Sequence, residues 1–200
     1  MSLETSLQMS LVDLVDNRNT DKNTTHSYLE LYNTLLSRMR TTATNVLEVG
    51  IGNFGPKNGG SLKLWRDYFT KAQVYGLDII PREMVLDELL NDPRVVLHTR
   101  TNAYDQNFVD KNFKDMRFDF MLDDGPHTLE SMLKFIELYA GLLTDDGILI
   151  IEDVQSIDWL SFFEIQTPEH LKKYIKVYDL REIKGRYDDI VFTIDKSILN

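Results

Sequence analysis

The sequence predicts an α/β fold: a Rossmann-like, mostly parallel seven-stranded sheet with helices on both faces. Three observations predict it. Short apolar runs alternate with longer segments whose apolar residues recur at helical spacing. Glycine or acid directly follows several of those runs: Gly50 after VLEV, Asp78 after VYGL, Asp123-Asp124 after FDFML and Glu152-Asp153 after ILII. The final two runs, residues 174–180 and 190–194, alternate as closing strands with antiparallel pairing expected. In open α/β sheets ligands bind past the carboxyl ends of strands, so the polar residues collected there are the candidate site.

Composition sets the outer limits. The 200 residues are 42% hydrophobic, enough for one α/β domain with a full core. The formal net charge of −10 makes a nucleic-acid backbone an unexpected partner. No apolar run approaches the ~20 residues a membrane helix needs. No basic segment followed by an apolar one opens the chain, so a cytoplasmic protein is expected. There is no cysteine, which excludes disulfides and thiolate zinc sites.

Taken in order, Leu3, Leu7, Leu11, Leu14 and Val15 give one apolar helix face, which packs on the body or on another subunit. With that face, a homo-oligomer, by symmetry a dimer, is the expected assembly. Residues 16–25 form a polar connector. A second helix follows with Tyr28, Leu31, Tyr32, Leu35, Leu36 and Met39 on one face; on pattern alone His26 is an ordinary helix start. Residues 46–49 are a buried strand, and Gly50, Gly52 and Gly55 form a glycine turn that lets backbone approach a ligand. The next helix starts near Ser61. Residues 74–79 are the second strand and 94–99 contain the third, with a short helix over 84–90 between them. A helix runs through Phe108, Val109 and Phe113. The fourth strand, 118–122, meets the turn Asp123-Asp124-Gly125-Pro126, then His127 and a helix carrying Leu129, Met132, Leu133, Ile136, Ala140 and Leu143. A turn over 144–147 precedes the fifth strand, 148–151. Residues 159–163 are an aromatic segment, either lid or core. The pairs Asp145-Asp146 and Asp188-Asp189 each precede an apolar run and read as solvated turns.

The glycine turn fits G-x-G-x-x-G formally, but two features argue against a nicotinamide cofactor. Glu48, two residues before the first glycine, would repel a pyrophosphate, and residues 56–60 delay the helix. An acid there suits a cationic ligand carrying an amine, such as S-adenosylmethionine (SAM). Asp78 is placed to hydrogen-bond ribose hydroxyls. Asp124, Glu152 and Asp153 are hard oxygen ligands suited to magnesium. Adjacent residues of a straight strand point to opposite faces, so Glu152 and Asp153 share a metal only if the chain bends there. His127, three residues after Asp124, suits a general base near neutral pH.

The ordered set Asp21-Lys22, His26, Tyr28, Tyr32, LEVGIG, GGSLKLWRDYF, YGLDI, DFMLDDGPHT and ILIIEDV resembles class I SAM-dependent methyltransferases. It is most similar to the metal-dependent O-methyltransferases of macrolide deoxysugars and to cephalosporin-hydroxylase-like proteins. The resemblance runs from about Asp21 to Val154. It implies a methyltransferase domain over residues 41–200, with residues 1–40 as N-terminal helices packing on it or on a partner subunit. It implies Glu48 and Asp78 at the cofactor. An acid before a glycine turn and a second acid at the next strand end further predict that Gly50 and Gly52 line that pocket, with Ser61 near the methionine carboxylate, Asp123 near the sulfonium, and Asn102 and Tyr28 as further contacts. Asp124, Glu152 and Asp153 would hold Mg2+, and His127 would be the base, with Asp124 the next catalytic candidate. Two departures stand out: residues 53–58 lengthen the glycine loop, and Asn102-Ala103 (or, shifted, Asp105-Gln106) stands where the family has Asp-Gln. The expected reaction is methylation of a sugar hydroxyl, on a deoxyhexose such as rhamnose, free, nucleotide-linked or on a glycan. The alternatives are a nicotinamide-dependent sugar oxidoreductase or epimerase, and a non-catalytic protein of the same fold.

Overall fold

A computed structural model describes residues 9–52 and 55–199. Seven strands form one sheet in the order β3-β2-β1-β4-β5-β7-β6. They are β1 (Asn45–Val49), β2 (Gln73–Leu77), β3 (Val95–His98), β4 (Phe118–Asp123), β5 (Leu143–Ile151), β6 (Ile175–Asp179) and β7 (Ile190–Asp195). The first five pair in parallel, and β7 runs antiparallel to both β5 and β6. The chain therefore has the predicted doubly wound sheet, with the antiparallel closure the terminal runs predicted.

Both faces of the sheet are covered, which is why apolar side chains of its central strands point to both sides. Val46, Phe120, Leu122, Ile148 and Ile150 meet one helical layer; Leu47, Val49, Met121, Leu149 and Ile151 meet the other. The first layer holds α1 (Leu11–Leu14), α2 (Tyr28–Leu36) and α3 (Gly60–Tyr68), through Leu11, Leu29, Tyr32, Leu62 and Trp65. Between the strands lie α4 (Asp87–Leu90), α5 (Gln106–Asn112) and α6 (Leu129–Tyr139), followed by α7 (Leu160–Gln166) and α8 (Arg181–Lys184). The second layer is built by α5, α6 and α7 through Val109, Met132, Phe135 and Phe163. A reciprocal capping box between Thr128 and Ser131 starts α6, which fixes where the turn after β4 must end.

Four elements differ from the reading of the sequence. The expected N-terminal helix is a single described turn whose Leu11 is buried against α2 and α3; Leu3 and Leu7 lie outside the described residues. The expected turn over 144–147 belongs to β5, where the register jumps from Phe118–Leu143 to Phe120–Ile148 and leaves Asp145-Asp146 exposed. Of the aromatic segment 159–163, Trp159 ends a 3-10 turn and residues 160–163 open α7: Phe163 is buried in the core, while Phe162 is about half exposed. Asp188-Asp189 is not a solvated turn. Both residues are buried, because Asp189 receives a side chain from far earlier in the chain. Among the described residues no helix is long and apolar enough to cross a membrane.

Candidate active site

A cavity of about 880 Å³ opens at the carboxyl ends of β1, β2 and β4. Gly50, Gly52, Ser61, Asp78, Asn102, Asp124, His127 and Asp153, all expected at the site, line it. The glycine turn is held against the strand ends by backbone bonds. Gly50 N donates to Leu77 O at 2.9 Å, and Asp124 N donates to Val49 O at 2.8 Å. Gly50 has φ +82°, and a Cβ there would fall 1.8 Å from the carbonyl oxygen of Asp124. Only glycine permits both the left-handed turn and this close approach. Asp78 accepts from Ile51 N at 2.8 Å and Ile80 N at 3.0 Å, so its carboxylate is fixed and still has lone pairs for a ligand. Thr101, Ala103 and Tyr104 also line the wall, and Asn102 Oδ1 accepts from Tyr104 N at 3.0 Å.

The acidic rim is built differently. His127 and Asp153 both lie in the left-handed region, at φ 52° and 54°. The bend at Asp153 settles the geometry of the Glu152-Asp153 pair. Asp153 turns towards Asp124 and His127, with His127 Nε2 lying 3.5 Å from Asp153 Oδ2 and 3.6 Å from Asp124 Oδ1. One donor atom from each of the three falls within 4.8 Å of the others. Two carboxylates and an imidazole at such separations can hold a divalent cation. Glu152 points elsewhere. It is buried, accepts from Tyr32 OH at 2.5 Å, and takes a second bond from Lys22.

Lys22 is the residue the sequence reading left without a role. It sits in the polar connector, yet its side chain is 1% exposed. Its Nζ donates to Asp124 Oδ2 at 2.6 Å and to Glu152 Oε1, and lies 3.9 Å from Glu48 Oε1. Burial opposes its charge, but Asp124, Glu152 and Glu48 outweigh that and hold its pKa well above the ordinary value. Behind Asp153 lies a second buried group. His26 Nδ1 is 2.6 Å from Asp189 Oδ1 and 3.2 Å from Asp153 Oδ1, and Tyr28 OH donates to Asp153. His26, Tyr28 and Tyr32 stack in a row, with ring centroids 4.9 and 5.6 Å apart. His26 is therefore a buried partner of two acids, not an ordinary helix start.

Four expected site residues are buried behind the cavity wall and do not form part of it. Tyr28, expected at the cofactor, supports Asp153 instead. Glu152, expected beside Asp124 and Asp153 as a metal ligand, is engaged by Lys22 and Tyr32. Glu48 is fully buried, and neither of its oxygens closes a hydrogen bond, although Ser61 and Trp65 are neighbouring donors. Burial pushes its pKa up to about 8, against the opposing pull of Lys22. Asp123 is also buried; Oδ1 accepts from Tyr104 OH at 2.6 Å while Oδ2 has no partner. Burial pushes its pKa up to about 7. Lys22 and His26 left two short signals in the sequence, Asp21-Lys22 and His26-x-Tyr28 just ahead of a helix; Asp189 left none.

No family model matches the chain. Its sequence is similar to that of antibiotic-sugar O-methyltransferases. It is 30% identical over 143 residues, 68% of this chain, to a mycinamicin VI 2''-O-methyltransferase of Micromonospora griseorubida. It is 27% identical over 154 residues, 76% of this chain, to an 8-demethyl-8-alpha-L-rhamnosyl tetracenomycin-C 2'-O-methyltransferase of Streptomyces olivaceus. The matches cover 34% and 39% of those proteins, so the chain spans little more than a third of their length. Among solved structures, the MycE methyltransferase with Mg, S-adenosylhomocysteine and mycinamycin VI superposes with a TM-score of 0.74 at 20% identity, over 95% of this chain and 55% of that one. An O-methyltransferase from Bacillus cereus with S-adenosylhomocysteine superposes at 0.59 and 16% identity, over 97% and 90%. The fold is thus that of class I methyltransferases, and the chain's named homologues are sugar O-methyltransferases, as the motif resemblance implied.

Proposed function

We propose that this chain, a homologue of sugar O-methyltransferases, transfers a methyl group from SAM to a sugar hydroxyl with the help of a divalent cation. The observation that carries the reading is the continuity of two halves in one cavity. A glycine turn and Asp78 form one wall, and Asp124, His127 and Asp153 converge on the other. The first half suits an adenosine ligand: Asp78 is a fixed carboxylate for ribose hydroxyls, and the absence of a side chain at Gly50 and Gly52 lets the ligand approach the backbone. Ser61 and Asn102 are the nearby polar contacts.

The second half suits an acceptor. A sugar hydroxyl is too weak an acid to ionise unaided. A bound divalent ion supplies Lewis acidity that fixes neighbouring hydroxyls and lowers the pKa of one. Asp124 and Asp153 are the ligands we assign to it. His127 turns Nε2 towards the same gap and takes the proton there, a contribution of roughly 10²–10⁴ in rate. The convergence of His127 with the two acids also supports a second role, as a third ligand.

The substrate class is a small-molecule glycoside or a free sugar with adjacent hydroxyls, a deoxyhexose by analogy with the relatives' named substrates. A symmetric dimer remains our reading of the apolar N-terminal positions. Light scattering of the full chain, and of a version starting near Asp16, tests it; monomers in both reject it. The activity test is methyl transfer from labelled SAM to rhamnosides. EDTA should abolish turnover and Mg2+ restore it, and acceptors without a neighbouring hydroxyl should react poorly. Undiminished turnover in EDTA would make the carboxylates structural. To separate base from ligand, His127→Ala should still bind Mg2+ if it is the base and lose that binding if it is a ligand.

A further inference from the structure

We propose that the acceptor half of the cavity selects its sugar by charge, and that Asp21 is the carboxylate that does so. A sugar bearing an amine binds more tightly than its neutral counterpart, and a nucleotide-linked sugar is refused. The inference narrows the substrate class of the methyl-transfer reading above and rests on that reading. Three observations support it.

The first is the sign of the wall. The carboxylates of Asp21, Asp78, Asp124 and Asp153 line the cavity, and among the described residues no lysine or arginine does. Residues 1–8, 53–54 and 200 contain neither. The basic residues on the wall's own segments are turned elsewhere: Lys22 to Asp124 and Glu152, Lys57 to Asp87, Arg82 to Leu90 O and Arg100 to Glu83. A metal ion and a bound SAM would not reverse the sign, since the ion is divalent and SAM carries a net single positive charge against four carboxylates. A phosphate on the acceptor would meet like charge with no protein cation beside it, a juxtaposition costly enough to exclude a ligand.

The second is that Asp21 is uncommitted. Asp78 accepts from two backbone amides, Asp124 from Lys22 and Asp153 from Tyr28. The Asp21 carboxylate accepts no hydrogen bond from the described residues; its charged neighbour is His26 Nε2, at 3.6 Å. Its side chain is 35% exposed, so a ligand in the cavity can reach it. The third is position. Asp21 O accepts from the amides of Thr24, Thr25 and His26, and a Cβ at Gly60 would come within 2.0 Å of Asn19 O, so the connector is fixed where it passes the cavity. The other nitrogen of His26, Nδ1, lies 3.2 Å from Asp153 Oδ1. Asp21 therefore stands one imidazole away from Asp153, on the acceptor half. A fixed and unengaged carboxylate there offers an ammonium a charge-assisted hydrogen bond, whereas a neutral hydroxyl gains less from it.

The experiment compares three acceptors that share the adjacent hydroxyls of rhamnose: a methyl rhamnoside, its analogue with an amine in place of the remaining hydroxyl, and a nucleoside diphosphate-rhamnose. Near neutral pH each is titrated into the wild type and Asp21→Asn, both saturated with S-adenosylhomocysteine and Mg2+, and each is assayed for methyl transfer from labelled SAM. In the wild type the amino sugar should bind roughly tenfold or more tightly than the neutral one, the scale of a hydrogen bond to a charged group. The nucleotide sugar should not bind at concentrations that saturate the rhamnoside. In Asp21→Asn the preference for the amine should vanish. A wild type that binds the amino and neutral sugars alike, or a variant that keeps the preference, overturns the inference. So does methylation of the nucleotide sugar at a rate near that of the rhamnoside, which would make the metal ion the carrier of the diphosphate. An Asp21→Asn variant that loses SAM affinity and keeps the acceptor preference assigns the carboxylate to the cofactor's own amine, and likewise overturns it. In each of these cases methyl transfer itself stands. Methyl transfer to none of the three acceptors overturns the reading beneath, and the inference with it. If Asp21→Asn does not fold, the wild type alone decides by its ranking of the three sugars.

Discussion

The two halves of the cavity are made by different physics. The half around Gly50 and Asp78 is backbone: strand ends, a glycine turn, and a carboxylate held by two amide N–H groups. Its partners are close in sequence or on adjacent strands. The half around Asp124 and Asp153 is a buried charge network joining four separate segments: Lys22, His26 and Tyr32 before the sheet, Asp124 after β4, Glu152-Asp153 after β5 and Asp189 at β7. The first half needs only correct secondary structure. The second exists only once the sheet has closed, because a buried carboxylate without its cation is costly. The difference teaches that a ligand cradle can be written locally, whereas a cluster of charged side chains must be assembled.

Substitutions can break this contrast, and the largest effect is expected in the backbone half. Gly50→Ala would drive a Cβ into the Asp124 carbonyl and hold a side chain at φ +82°. It should cost about 3 kcal/mol in urea unfolding and abolish cofactor binding. A stable variant that binds SAM normally would show that the turn is less constrained than it looks.

His127→Ala belongs to the charge half and should leave the cradle alone. The expected loss is at least a hundredfold in kcat, with SAM affinity unchanged. His127→Asn tolerates the left-handed backbone better and should be equally inactive while more stable, which separates chemistry from strain. Near-normal kcat in His127→Ala would move the base elsewhere, with Asp124 the next candidate.

Asp78→Ala tests the cradle with a smaller effect. SAM should bind at least tenfold more weakly, about 1.4 kcal/mol by titration. Unchanged affinity in a folded variant would remove Asp78 from the cofactor site.

The smallest effect concerns pH. Glu48 has its folded pKa raised from 4.5 to about 8 by burial. The folded state therefore holds a proton that the unfolded state gives up, and stability falls as pH rises from about 4.5 through 8, then levels off. Asp123, raised from 3.8 to about 7, adds in the same direction. Glu48→Gln should flatten the dependence, matching the wild type near pH 4.5 and exceeding it at pH 8 in thermal unfolding. A parallel pH profile in the variant would mean that Glu48 is ionised in the fold.

Two identical dipeptides show where reading the sequence stops. Asp145-Asp146 and Asp188-Asp189 both precede apolar runs, and both read as solvated turns. The first is exposed at a bulge in β5, as expected. The second is buried because His26, 163 residues away, meets Asp189. Lys22 was missed for the same reason: its nearest neighbours in sequence are polar, and its partners Asp124 and Glu152 lie 102 and 130 residues on. Glu48 and Asp123 were misplaced by one layer, since a residue at a strand end can face the ligand or lie behind the wall.

The sequence by itself determined the strands, the crossover helices, the antiparallel closure, the glycine turn and the acids at the strand ends. These follow from apolar periodicity, from backbone steric limits and from where parallel strands must end. Tertiary structure alone decided which acids reach the cavity. The left-handed bend at Asp153 turned that residue towards Asp124 and His127, while Glu152 went to Lys22 and Tyr32. The physical reason is that charge is neutralised through space. A buried carboxylate is stabilised by whichever cation or hydroxyl the fold brings within about 3 Å, and sequence spacing carries no record of that distance.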